Sequence, residues 1–180
     1  GIAAALDVMR HGRLHRYNLA GQEAGEVALL EEEFAAHTGA RYCLAVASGG
    51  YAMGCALRAL GVSPGDTVLS NAFTLAPVPG AIASLGARPV FVETSDRLTI
   101  DLDHLSQQAE AHPDARVLLL SHMRGHIADM DVLTAVAQAH DLTVVEDCAH
   151  TMGARWRGVP SGRHGAIGFY STQTYKHMNS

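Results

Sequence analysis

RVLLLSHMRGHIADMDVLTAVAQAHDLTVVED, residues 116–147, is the stretch whose reading decides the fold. It opens on the apolar run Arg116–Ser121, passes through Asp129–His140 with apolar residues three to four apart, and closes on a second apolar run, Leu142–Asp147. Val117–Leu120 and Leu142–Val145 show no regular polar alternation, so both faces of these strands call for cover. Two buried strands joined by an amphipathic helix form one unit of a parallel sheet flanked by helices. The expected fold class is α/β.

The same pattern extends in both directions. Helices are predicted over Gln22–His37, Gly50–Leu60, Pro77–Leu85 and Asp101–His112, the first three stopped by Gly39, Gly61 and Gly86. Further strands are predicted over Tyr42–Ala47, Thr67–Ser70, Pro89–Glu93 and Ala166–Ser171. Ser63-Pro64-Gly65-Asp66 and the segment Arg157–Gly162 read as surface turns, and Tyr51, Met53 and Met130 as helical core positions.

With 180 residues and 48% hydrophobic content, the chain is the size of one globular domain with a real core. A net charge of −5 and the lack of a basic run argue against nucleic acid or an anionic membrane as partner, which leaves small-molecule work. No apolar stretch has the length of a membrane span, and Gly1–Arg10 lacks a secretory pattern, so a cytoplasmic location is expected. Cys43, Cys55 and Cys148 are few, odd in number and without metal-type spacing; all three are expected to be reduced and buried. The sequence opens on glycine and ends four residues after Lys176, as a piece of a longer protein would.

In an open α/β sheet, ligands bind beyond the carboxyl ends of the strands, so polar residues just past an apolar run are the candidates. Val46-Ala47-Ser48-Gly49-Gly50 runs into a helix and offers free amides and a positive dipole end, either as a tight turn or as a phosphate cradle. Its glycines miss the G-x-G-x-x-G spacing, and the next strand ends in Ser70-Asn71 instead of an acid, which sets a nicotinamide site aside. At Glu146-Asp147, alternation sends two carboxylates to opposite sides of a buried strand. An inward carboxylate needs a cation or strong donors, and a protonated pyridine nitrogen would serve; a helix cap is the plain alternative.

Lys176 is the single lysine among thirteen Lys and Arg residues. Where a fixed charge would do, this sequence uses arginine, whereas a lysine amine can lose its proton and attack a carbonyl. Ser171-Thr172-Gln173-Thr174-Tyr175 places hydroxyls ahead of it that could donate to a phosphate. His122 and His126, with Asp129 nearby, form a conceivable metal set, but Gly125 breaks any shared helical face. A structural or substrate-contacting role is expected for them, and no metal site.

Taken in order, Ala47-Ser48-Gly49-Gly50, Leu60-Gly61-Val62-Ser63-Pro64-Gly65-Asp66, Leu85-Gly86-Ala87-Arg88-Pro89-Val90-Phe91-Val92, Ala128-Asp129-Met130-Asp131 and Glu146-Asp147-Cys148-Ala149-His150 resemble the signatures of the DegT/DnrJ/EryC1/StrS family of sugar aminotransferases, which depend on pyridoxal 5'-phosphate (PLP). The resemblance runs from about Tyr17 to Ser180. It implies a fold-type I large domain, partial over residues 1–180, with a small C-terminal domain outside this sequence. It further implies that Lys176 forms the Schiff base with PLP and that Asp147 contacts the pyridinium nitrogen. His150 matches a position near the ring and its phenolic oxygen. Ser171 matches a phosphate-binding serine, with Ser48, Gly49 and Gly50 on the same phosphate. Leu75 stands where many members set an aromatic ring over the pyridine; the family's threonine is missing at Gly50, and Arg124 replaces a common tyrosine.

The function so implied is transfer of an amino group from glutamate to a nucleotide-linked keto sugar by a homodimer. The rivals are a PLP- or PMP-dependent sugar dehydratase, in which a histidine takes the lysine's place, and a non-catalytic regulatory relative. Lys176 favours transamination, although His177 is its neighbour.

Overall fold

The computed structural model describes residues 1–12 and 25–178, which fall into two compact units, Gly1–Ala45 and Val46–Ser180. The first holds α1 (Ile2–His11), which the sequence reading did not anticipate, and α2 (Glu26–Thr38). The expected start of that second helix, residues 22–24, lies outside the described residues. Gly39 ends α2 in the left-handed conformation, φ 73°, where a Cβ would be strained.

The second unit carries α3 (Gly49–Ala59), β1 (Thr67–Asn71), α4 (Pro77–Ser84), β2 (Arg88–Val92), α5 (Leu102–Ala111), β3 (Val117–Ser121), α6 (Met130–Ala139), β4 (Thr143–Asp147), the short hairpin β5 (Arg155–Trp156) and β6 (Val159–Pro160), and β7 (Ile167–Phe169). The main sheet has the order β2-β1-β3-β4-β7, and every adjacent pair is parallel. Ser48, Asp101 and Asp129 start α3, α5 and α6 by accepting first-turn amides on their side chains, as their residue types favour.

Successive residues of the central strands feed two cores. Leu69, Leu118, Leu120 and Val144 pack with Leu105, Met130 and Leu133 of α5 and α6. Val68, Val117, Leu119 and Val145 pack with Met53, Leu57, Val78 and Ile82 of α3 and α4. Cover on both faces is why these strands lack polar alternation. Among the described residues no helix is long and apolar enough to cross a membrane.

Three expectations are corrected. Tyr42–Ala47 is not a strand: it belongs to neither sheet, and Tyr42 and Leu44 are 76% and 62% exposed. Apolar alternation without a neighbour supplies no strand hydrogen bonds. Tyr51 is 59% exposed on the outer side of α3, whereas Met53 and Met130 are buried as expected. Cys148 is buried, but Cys43 and Cys55 are only half-buried.

Candidate active site

The carboxyl ends of β3, β4 and β7 bring most of the candidate residues together. Ser121 and Asp147 are the last residues of β3 and β4 and lie opposite each other in the register. The Ser121 hydroxyl donates to Asp147 Oδ2 at 3.0 Å, and the Ala149 amide donates to Oδ1 at 3.0 Å. Ser121 is itself fixed by Asn71, whose side chain accepts its amide at 2.8 Å and donates to its carbonyl at 3.1 Å. Asp147 is thus a buried carboxylate held by neutral donors, with no cation paired to it among the described residues. Such a group favours a positively charged partner.

Glu146 points to the other face and is wholly buried. It accepts from His122 Nε2 at 3.1 Å and from the amides of Gly162, His164 and Gly165 at 2.9, 2.8 and 2.7 Å. Burial pushes its carboxyl up, but the His122 hydrogen bond and the Gly162 and Gly165 amides outweigh this and hold it below the ordinary carboxylate value. Glu146 therefore pins the loop that leads into β7.

Glycines make that loop possible. Gly162 has φ 88°, and a Cβ there would run into the Tyr170 hydroxyl; a Cβ on Gly165 would strike the Val144 carbonyl. Tyr170 in turn donates to the Ser161 carbonyl at 2.5 Å.

The chain leaving β7 carries Ser171 and then Lys176. Lys176 Nζ lies 2.7 Å from His150 Nε2, and His150 Nδ1 accepts the Arg124 amide at 3.2 Å. Desolvation, followed by the Lys176 charge, holds the His150 imidazole below its ordinary value, against the pull of Asp147. Lys176 is half-buried and His177 exposed, so the lysine is the one turned toward His150.

Ser171 faces the start of α3: a Cβ built on Gly49 would lie 4.0 Å from Ser171 Cβ. The Gly49 and Gly50 amides find no acceptor among the described residues, while the Ser48 side chain is taken by its capping bond from Tyr51 at 3.1 Å. Free amides at a helix N-terminus facing a hydroxyl can hold a phosphate. Leu75, after β1, is 46% exposed and makes no side-chain hydrogen bond to this group; beside it Thr74 Oγ1 is buried without a partner.

His122 and His126 part company, the first buried against Glu146 and the second exposed. His122, Glu146 and Cys148 do lie within 4.8 Å of one another by their ligand atoms. Four N–H donors already occupy Glu146, and burial pushes the Cys148 thiol up, which makes this trio a hydrogen-bonded piece of the interior. Sequence reasoning missed Ser121 and the role of Glu146. The signal for Ser121 was present: it is the polar residue that closes the apolar run Val117–Leu120.

The sequence profile of the DegT/DnrJ/EryC1/StrS aminotransferase family matches residues 4–180. Over 155 residues the chain is 39% identical to the 3-amino-5-hydroxybenzoate synthase of Amycolatopsis mediterranei, covering 86% of this chain and 40% of that protein. It is 35% identical over 151 residues to the UDP-2-acetamido-2-deoxy-3-oxo-D-glucuronate aminotransferase of Pseudomonas aeruginosa, covering 84% of this chain and 40% of that one. The crystal structure of a 3-amino-5-hydroxybenzoic acid synthase superposes with a TM-score of 0.89 at 33% identity, over 99% of this chain and 45% of the other. The chain spans less than half the length of the relatives it matches.

Proposed function

This chain belongs to the DegT/DnrJ/EryC1/StrS aminotransferase family, and on that premise we propose that the protein it is part of transfers an amino group, with glutamate as donor, to a nucleotide-linked keto sugar by means of PLP. The observation that carries the reading is the convergence of a nucleophile-bearing amine and a cation-seeking carboxylate at one sheet end. Lys176 Nζ meets His150 at 2.7 Å, and Asp147 ends the adjoining strand.

The residues present fit PLP. Among the described residues Asp147 has no cation paired to it, and it would hold the pyridine nitrogen in its protonated form. Ser171, together with the acceptor-free amides of Gly49 and Gly50 at the N-terminus of α3, would take the phosphate. Leu75 would offer aliphatic packing in place of an aromatic ring. When bound, PLP supplies the electron-poor ring that stabilises negative charge on a substrate carbon.

The chain's own part is to place groups around that ring. Lys176 Nζ would hold the cofactor through its amine and would hold and move the proton at the substrate carbon. Asp147 would keep positive charge on the ring, and Ser121 donates to Asp147 and so fixes its place. The homodimer belongs to the same reading, as does a cytoplasmic setting, which suits cysteines that form no disulfide.

The test is the absorbance of the full-length protein with PLP before and after borohydride, wild type against Lys176→Ala. A band that borohydride bleaches only in the wild type, with the label on the peptide containing Lys176, supports the reading. No band in either protein overturns it. Product analysis with a nucleotide-linked keto sugar, with and without glutamate, then separates amino transfer from dehydration.

A further inference from the structure

Arg124 is one of few residues other than glycine with a left-handed backbone, at φ 56° and ψ 18°. L-residues adopt this conformation at a cost of the order of 1 kcal/mol, and such outliers gather where a function over-determines the backbone. The turn that contains it, Met123–Gly125, follows directly on β3, and its conformation aims the Arg124 amide at His150 Nδ1, 3.2 Å away.

An amide N–H can only donate, so His150 Nδ1 must be the unprotonated nitrogen. A neutral imidazole then carries its proton on Nε2, the atom 2.7 Å from Lys176 Nζ. With that nitrogen donating, the bond is received at Lys176 Nζ, the atom that as an amine attacks a carbonyl. The reverse arrangement, an ammonium donating to Nε2, would leave a proton on Nδ1 facing the Arg124 amide.

We propose that the strained Arg124 amide locks His150 as the Nε2–H tautomer, making His150 the positioning residue for Lys176 Nζ. The inference rests on Lys176 being the cofactor-bonding amine. Desolvation, the largest influence on the imidazole, favours its neutral form, and Lys176, Asp147, Arg124 and His177 are the charged or titratable groups that face it, Asp147 opposing the shift. The lock uses main chain alone, so the Arg124 side chain is dispensable for it.

Nitrogen NMR of the full-length protein labelled at histidine, assigned by loss of the signal in His150→Gln, reads the tautomer without cofactor. The expected spectrum has His150 protonated on Nε2 only, in the wild type, in Lys176→Ala and in Arg124→Gly. Protonation on Nδ1, or of both nitrogens near neutral pH, overturns the proposal, as does loss of the tautomer in Arg124→Gly, which would assign the effect to the guanidinium.

The second arm follows the rate at which apoprotein bonds PLP. Glutamine can accept with its oxygen and donate with its nitrogen, so His150→Gln should stay within about threefold of wild type, whereas His150→Leu should be slower by about tenfold, the loss of one hydrogen bond. Equal rates in the two variants, both folded by circular dichroism, would overturn the positioning role. Should the wild type never bond PLP, the proposed function fails, and the NMR arm still decides the tautomer.

Discussion

Glu146 and Asp147 are neighbours in the chain, yet their carboxylates lie on opposite faces of the sheet, one closed off by four N–H donors and the other held by two neutral donors, with no cation paired to it among the described residues. Strand geometry imposes the opposition, and the donors assign the tasks. The saturated carboxylate organises the loop behind the site. The other faces the site itself.

Replacing Glu146 by Ala should destabilise the full-length protein by about 3–5 kcal/mol, because buried His122 and three backbone amides lose their acceptor together. Urea denaturation measures this. The pH dependence has a definite sign. The folded carboxyl lies below its ordinary value of 4.5, so the unfolded chain takes up protons first as pH falls. The Glu146 contribution is complete above that value and disappears as pH drops through the lower, folded one. A Glu146→Gln variant should lack this part of the acid sensitivity.

Asp147→Asn should leave the fold intact and lower turnover by about a hundredfold or more, since an amide cannot stabilise a ring cation as a carboxylate does. Ser121→Ala removes a single donor to that carboxylate and should cost about 1–3 kcal/mol in stability. Comparing kcat for the two variants with their denaturation midpoints distinguishes loss of charge from loss of support.

Two glycine substitutions should move stability in opposite directions. Gly162→Ala puts a Cβ against Tyr170 at φ 88° and should destabilise by about 2 kcal/mol or more. Gly80→Ala falls within α4 with nothing within 4 Å of the new Cβ and should stabilise by about 0.5–1 kcal/mol. Thermal melts of the two proteins side by side check both.

Cys148 should resist thiol reagents in the native protein. It is fully buried, accepts the Ser161 hydroxyl at 3.2 Å, and its thiol is pushed well up by burial and by the Glu146 charge. Peptide mapping after mild alkylation should find Cys148 unmodified, and modified once the protein is denatured.

The βαβ stretch from Arg116 to Asp147 was legible because burial on two faces writes itself as continuous apolar runs, and both strands fall within a residue of their expected starts. Tyr42–Ala47 misled for the converse reason: its composition suits a strand, but a ladder depends on a neighbour that composition does not reveal. In the candidate site, Lys176 stands out in the sequence as a lone lysine, and Asp147 as the end of a buried strand. Ser121 and the Arg124 amide were harder to see. One acts through register across two strands and the other through a backbone angle, and residue type alone reports neither pairing.

From Tyr170 to Lys176 the chain has neither helix nor strand, so the amine inherits its place from β7 and the loop pinned by Glu146. Such a segment opens as a small cooperative unit of its own, at lower free energy than the sheet it leans on. Heat would then displace Lys176 before it melts the protein, and amide exchange in residues 162–176 would quicken while β3 and β4 stay protected.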